Sequence, residues 1–150
     1  MQDRTFARAS RATLAAYPTE FRLTGRRLVE YLDQRTFAVV STTRRDGRAH
    51  AVVASYVREG ATFWLPTEGG TVRLRNVRAH AWAALTVTEG DRGSHVVVLI
   101  EGPAVVAAPA EVPSAVAGRV REPWVEQWIR VAAERVRSYA APGSAAVAVE

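Results

Sequence analysis

Short apolar runs separated by polar turns are the dominant pattern of this chain, and they predict a mainly β protein. The sequence Arg45-Asp46-Gly47-Arg48 predicts a tight hairpin, because Asp-Gly readily adopts the positive φ values of such turns. A second turn at Glu59-Gly60 brings the chain back, so the first three strands are interpreted as a meander. The predicted strands are 37–43, 49–58, 61–65, 82–88, 94–107 (with a bend at Glu101-Gly102-Pro103) and 145–149.

Helical spacing of apolar residues accompanies these strands. Thr24 is a suitable N-cap for a helix over residues 25–34, in which Leu28 and Leu32 share an apolar stripe. Two further helices are predicted at 71–79 and at 6–16, where a frayed segment is the alternative.

The clearest helical pattern covers residues 122–137 near the C-terminal end. Pro123 lies in its first turn, a position that tolerates proline. The apolar residues on one face of this predicted helix are Trp124, Trp128, Val131 and Ala132. The two tryptophans indicate either core packing or a subunit interface, where aromatic residues are enriched.

Six antiparallel strands with flanking helices predict a small β-barrel, with a β-sandwich as the alternative. At 150 residues the chain is long enough to bury one core. We therefore predict a single domain over residues 1–150, with a core at about 25–109 and a C-terminal helix at about 122–137.

Composition places the chain among ordinary soluble globular proteins, with 48% apolar and 23% charged residues. No apolar run approaches the roughly 20 residues that span a bilayer, and the N-terminus lacks a secretory signal pattern. The absence of cysteine excludes disulfides and zinc–thiolate sites. These features predict a cytoplasmic protein without a membrane partner.

All 20 basic residues are arginine, and the net charge is +5. The lack of lysine excludes Schiff-base chemistry, so any bound anion must be held by arginines, hydroxyls and backbone N–H groups. Although the charge permits nucleic-acid binding, the arginines are scattered and no aromatic residues interleave with them. This distribution favours a solvated arginine-rich surface over a nucleic-acid interface.

A glycine-rich loop follows the predicted strand 61–65 and leads into the predicted helix 71–79. Glycines let backbone N–H groups approach an anion closely, and a helix start presents further free N–H groups. The loop and helix also carry the hydroxyls and charges of Thr67, Thr71, Arg73 and Arg75. The pattern indicates a phosphate-sized anion site, with a turn carrying solvated arginines as the alternative.

The remaining candidate residues point away from metal and triad chemistry. His50, His80 and His95 match no metal-ligand spacing, and no serine is accompanied by a visible His/Asp framework. Glu101 is a single acid in an apolar run, where a buried charge needs compensation. We therefore expect Glu101 to lie at a strand end or to pair with an arginine.

The order of these motifs over residues 28–106 resembles the pyridoxamine 5′-phosphate oxidase-like flavin-binding split barrels, particularly the bacterial flavin/deazaflavin oxidoreductases. The matching motifs are the strand end Ser41-Thr42-Thr43, the Asp-Gly hairpin, Gly70-Thr71-Val72-Arg73-Leu74-Arg75-Asn76-Val77, and Ile100-Glu101-Gly102-Pro103. This resemblance implies a six-stranded antiparallel split barrel that forms a homodimer, with FMN or the deazaflavin F420 in a groove at the dimer interface.

The resemblance also implies which residues bind the cofactor. Thr67 and Thr71 match the hydroxyl positions at the phosphate, Arg73 takes the place of the usual lysine, and Asn76 matches the helix asparagine. Thr42 and the backbone around Ala54 and Ser55 match the ring position. The predicted cofactor-binding residues are therefore Thr42, Ser55, Thr67, Thr71, Arg73 and Asn76, with Arg44 or Arg48 as a further donor near the ring.

Three departures from the family pattern bear on activity: Ala49 replaces a proline, Val72 replaces a second basic residue, and residues 51–53 are apolar. They argue against vitamin B6 oxidation. The predicted function is an FMN- or F420-dependent oxidoreductase that acts on a small molecule, with no side chain identified as catalytic. The alternative is a non-enzymatic flavin, F420 or haem binding protein, or a relic barrel with weakened cofactor binding.

Overall fold

The computed structural model describes residues 1–144, which form five α-helices and eight β-strands. The helices are α1 (Gln2–Ala7), α2 (Arg11–Ala16), α3 (Gly25–Asp33), α4 (Val72–Ala79) and α5 (Ser114–Ala117). The strands are β1 (Phe37–Thr43), β2 (Ala49–Ser55), β3 (Val57–Glu59), β4 (Thr62–Thr67), β5 (Trp82–Glu89), β6 (Val96–Ala107), β7 (Gln127–Ala132) and β8 (Arg135–Ala140).

The strands form one curled antiparallel sheet in the order β2-β1-β5-β6-β7-β4-β3, with β8 also paired to β6. The long strand β6 connects the two halves, because residues 96–101 pair with β8 and residues 104–107 pair with β7. The predicted split barrel with flanking helices is confirmed, with eight strands instead of six.

Alternation along the strands determines which side chains fill the barrel. In β1, Ala38, Val40 and Thr42 are buried, whereas Phe37 and Thr43 are exposed on the other face. The largest fully buried side chains come from both halves of the sheet, from α3 and α4 and from the residue Leu23 just before α3. They are Leu23, Leu28, Leu32, Val40, Phe63, Leu65, Leu74, Leu85, Val87, Val96, Ile100 and Ile129. Helix α3 therefore packs by the apolar stripe that the sequence predicts, and α4 packs through Leu74 and Val77.

The predicted hairpin between β1 and β2 is confirmed, and Gly47 adopts a φ of 85° in its turn. The predicted three-stranded meander is wrong, because the segment 49–58 breaks at Tyr56. The Tyr56 hydroxyl donates to the Leu32 carbonyl at 2.6 Å, and its N–H donates to the Thr36 carbonyl at 2.9 Å. These two hydrogen bonds fix the interruption between β2 and β3. β3 then pairs with β4, at the opposite end of the strand order from β2.

The predicted C-terminal helix at 122–137 is also wrong, because this segment contains β7 and the start of β8. Backbone pairing makes this segment a strand. β7 pairs with β4 and with the second half of β6, and without β7 those two strands would have unpaired backbone groups. In β8, Val136, Ser138 and Ala140 are buried in alternation, which is the strand period. The apolar pattern of this segment fits both the helical and the strand period, and backbone pairing selects the strand.

The two tryptophans of this segment therefore do not share a helix face. Trp128 is buried in a small apolar cluster beside β7, and Trp124 is exposed in the preceding loop. Near the N-terminus, the predicted helix 6–16 is instead the two short helices α1 and α2. The predicted strand 145–149 lies outside the described residues.

Glu101 meets an arginine, as predicted: its carboxylate lies 3.0 Å from Arg137 Nη1 on the neighbouring strand. The next residue, Gly102, lies where β6 changes partners, and the turn between β7 and β8 packs directly against it. Within residues 1–144, no helix combines the length and apolarity needed to cross a membrane.

Candidate functional site

The glycine-rich loop connects β4 to α4, as the sequence predicts. β4 ends at the fully buried Thr67, Gly70 adopts a φ of 73°, and Thr71 is the N-cap of α4. Arg75, one turn into the helix, donates from Nη1 to the Gly70 carbonyl at 3.0 Å. The backbone therefore turns sharply just before a helix start, which is the arrangement that favours anion binding.

Arg73 is the half-buried cation of this loop. Its Nε donates to Thr67 Oγ1 at 3.3 Å and its Nη2 to the Pro66 carbonyl at 3.4 Å, both long bonds to neutral oxygens. Burial lowers the pKa of Arg73, and the carboxylate of Glu68 opposes this shift. Among residues 1–144, no carboxylate forms a salt bridge with Arg73, so its charge is available to an anion.

Thr42 of β1 and Asn76 of α4 are in contact where α4 packs against the sheet. Asn76 Nδ2 donates to Thr42 Oγ1 at 3.0 Å, and both side chains are buried. This bond ties α4 to β1 and thereby fixes the helix against the sheet. Two predicted site residues are thus in contact with each other.

His50 was missed as a site residue, since the sequence alone indicates only a histidine near a hairpin. It pairs with Thr42 across β1 and β2, and its Nδ1 is a buried atom without a hydrogen-bond partner within the described chain. Thr71 Oγ1 is a second such atom. The Asp-Gly turn sets the register that places His50 opposite Thr42, and this signal was available in the sequence.

Ser55 is not brought together with the other predicted residues. It pairs with Phe37 at the far end of β1, about 16 Å along the sheet from Thr42 at 3.3 Å per residue. The strand alternation also places Ser55 on the opposite face of the sheet from Thr42. Within one subunit, Ser55 therefore cannot contact a ligand at the loop.

Glu126 approaches the loop from the segment before β7. Its N–H donates to the Thr67 carbonyl at 3.2 Å, and its carboxylate lies over Gly69, where an added Cβ would be 2.1 Å from Oε2. The Glu126 side chain is exposed, so it can rotate away when an anion enters. The unpartnered Thr71 hydroxyl, Arg73 and the glycine backbone fit a phosphate-sized group, and Glu126 opposes it.

The pKa of His50 reports on this arrangement. Burial lowers it below the ordinary value of 6.5, and the charges of Arg44 and Arg73 lower it further because both disfavour an imidazolium ion. We expect Arg73→Gln and Arg44→Gln each to raise the pKa of His50, measured by NMR titration of the imidazole resonance. Arg119→Gln, an exposed change elsewhere, is the control. A pKa of His50 that is unchanged in both variants would contradict the geometry.

Solved structures share this fold at low sequence identity. The conserved hypothetical protein Rv2991 from Mycobacterium tuberculosis matches with a TM-score of 0.69 and 18% identity, over 83% of this chain and 89% of that one. The FAD binding protein from Mycobacterium smegmatis matches with a TM-score of 0.64 and 20% identity, over 80% and 98%. The haem storage protein HutZ from Vibrio cholerae matches with a TM-score of 0.59 and 11% identity, over 82% and 97%.

Curated proteins provide no significant sequence match. The family model described as pyridoxamine 5′-phosphate oxidase, however, matches residues 24–147, from the N-cap of α3 through the loop and α4 and past β8. The resemblance inferred from residues 28–106 is therefore confirmed over most of the chain. This protein belongs to the pyridoxamine 5′-phosphate oxidase family.

Proposed function

We propose that this protein binds a flavin, FMN or the deazaflavin F420, with its phosphate at the loop between β4 and α4. The observation that carries the proposal is Arg73, a half-buried guanidinium near two glycines whose hydrogen bonds, among residues 1–144, go to neutral oxygens. Family membership supports the assignment, as does the fold shared with the FAD binding protein from Mycobacterium smegmatis.

The bound flavin would supply hydride transfer to or from a small molecule, and the chain would supply binding and orientation. Arg73 and the Thr71 hydroxyl would hold the phosphate. Thr67, which is fully buried and donates its hydroxyl proton to the Leu65 carbonyl at 3.0 Å, would position Arg73. The Asn76–Thr42 bond would keep α4 in place. Of the two arginines predicted near the ring, Arg48 already contacts Asp46 through two nitrogens. Arg44 is therefore the better candidate donor.

A homodimer is part of this proposal. The outer face of β1 and β2 is mostly apolar, with Ser41, Thr43 and Ser55 as its polar residues. Phe37 and Val53 are 61% and 65% exposed on it. Ala51 and Ala49 continue this apolar face along β2, which is also the edge of the sheet. A contiguous apolar sheet face is a typical subunit interface.

Ser55 lies on the same outer face as Val53, on the opposite side of the sheet from Thr42. In a dimer formed through this face, Ser55 would be an interface residue and would not contact the ring.

The test is fluorescence titration of FMN and of F420 against the wild-type protein and Arg73→Gln. We expect the variant to bind at least about tenfold more weakly, because a charge-assisted hydrogen bond contributes about 1.5–3 kcal/mol. Glu126→Gln should bind more tightly than wild type, because it removes the opposing charge. Arg119→Gln is the matched control.

Thermal unfolding of each variant separates loss of binding from loss of fold. Equal affinities of wild type and Arg73→Gln would refute the phosphate assignment. Failure of the wild-type protein to bind either flavin at about 100 μM, far above the micromolar affinity that about −8 kcal/mol gives, would refute flavin binding itself.

A non-enzymatic binding protein is the second candidate. It is favoured by the apolar side chains of residues 51–53, which leave few polar contacts for a ring, and the fold is shared with the haem storage protein HutZ. The absorbance spectrum of purified protein distinguishes bound FMN, F420 and haem. Reduction of a bound flavin with turnover of a second substrate would exclude this candidate.

A further inference from the structure

A cavity of about 890 Å³ opens between the β1–β2 hairpin and α4. The charged residues that line it are Arg44, Arg45, Asp46, Arg48, Arg75 and Arg78. Arg73 and the two glycines do not line this cavity, but Val72 and Asn76 of α4 do, so the cavity adjoins the phosphate loop without including it. Its volume lies within the range of small-molecule sites.

The charge in this cavity is not balanced by the described part of the chain. Asp46 is the single carboxylate, and it is already engaged by Arg48 through contacts of 2.9 and 2.6 Å. No acidic group among residues 1–144 forms a salt bridge with Arg44, Arg45 or Arg78. Like charges at this density repel one another, and a bound polyanion would relieve the repulsion.

Arg75 links the cavity to the phosphate loop. Its side chain lines the cavity, and its Nη1 donates to the Gly70 carbonyl at 3.0 Å. An anion held by the loop would therefore lie next to a second group of arginines on the adjoining face of α4. A single phosphate is satisfied by the loop and Arg73, which leaves Arg45 and Arg78 in the cavity for a further anionic group.

We propose that this arginine cavity is a second anion site, which takes the second phosphoryl group of a diphosphate ligand whose first phosphate lies at the loop. A second phosphate site favours a dinucleotide flavin such as FAD over FMN as the cofactor. This preference for FAD rests on the proposed function. Binding of a diphosphate itself does not depend on flavin binding, so the two proposals can fail separately.

The first test is calorimetric titration of inorganic diphosphate into the full chain at about 0.15 M ionic strength, where weak surface attraction is largely screened. The double variant Arg45→Gln, Arg78→Gln should lose about tenfold or more in affinity, by the usual strength of guanidinium–phosphate contacts. The pair Arg119→Gln, Arg121→Gln removes the same charge elsewhere and should lose less than twofold.

Two outcomes of this titration would overturn the inference. If the two double variants lose equal affinity for diphosphate, the anion is attracted by the net charge of the protein and does not bind at a defined site. Displacement of diphosphate by a single-stranded oligonucleotide that binds more tightly through the same arginines would mean a nucleic-acid interface.

The second test compares FAD with FMN in the same variants. The cavity variant should weaken FAD binding by about tenfold or more and FMN binding by less than twofold, since only FAD carries a second phosphoryl group. Parallel losses for both flavins would overturn the inference while leaving the flavin proposal intact. Diphosphate binding without any flavin binding would have the opposite meaning: the anion site would stand and the flavin proposal would fail.

Discussion

Replacing Gly102 by alanine is expected to destabilise the fold by about 3 kcal/mol or more, at the upper end of overpacking effects. An added Cβ would lie 1.7 Å from the Ala132 carbonyl oxygen and 2.8 Å from its carbon. Both are backbone atoms of the last residue of β7, so neither can rotate away. The clash falls where β6 changes from its β5 and β8 pairing to its β7 pairing, and relief would disturb both halves of the sheet.

Urea unfolding followed by circular dichroism measures this change in the free energy of unfolding. Gly25→Ala is the matched control, because nothing lies within 4 Å of its added Cβ and the residue begins α3. This control should be neutral or gain about 0.5 kcal/mol, since alanine restricts the unfolded chain. A loss below about 1 kcal/mol for Gly102→Ala, within ordinary surface effects, would show that the turn can move.

Val53→Arg is expected to convert the proposed dimer into a monomer at micromolar concentration. Val53 is 65% exposed in the single subunit and central to the apolar face of β1 and β2. Burying an unpaired guanidinium in such an interface costs several kcal/mol, which raises the dissociation constant by about 100-fold or more. Sedimentation velocity of wild type and variant measures the change.

Leu14→Arg is the control for this prediction, because Leu14 is an exposed apolar residue on α2, away from the sheet face. It should leave the sedimentation coefficient unchanged. A wild-type protein that sediments only as a monomer, or a Val53→Arg variant that stays dimeric, would rule out this face as the interface.

Local signals were sufficient for the elements around the site. β1 has the predicted bounds, the Asp-Gly hairpin forms, and α3 and α4 begin after Thr24 and Thr71. The hairpin and α3 depend on residues close in sequence, namely a turn dipeptide and an amphipathic stripe. Thr24 and Thr71 occupy the N-cap positions, but neither side chain forms a capping hydrogen bond. The loop with Thr67, Gly70 and Arg73 is likewise a local arrangement, and the structure places these residues together.

Partners distant in sequence decided the elements that were predicted wrongly. The segment 122–137 satisfies a helical period, but β4 and β6 need hydrogen-bonding partners and β7 supplies them. The break at Tyr56 depends on the Leu32 and Thr36 carbonyls, which lie more than one element away. The helix propensity of a segment is a weak effect compared with a full ladder of backbone hydrogen bonds between strands.

The sequence by itself determined the family, the β-rich fold, the glycine loop and the absence of thiol and lysine chemistry. Only the tertiary structure decided that Ser55 lies away from the loop, that Glu126 faces Gly69, and that five arginines share one cavity. The physical reason is that a loop is built from neighbouring residues. Charge balance and burial at the site, in contrast, depend on side chains that strand pairing brings together from separate parts of the chain.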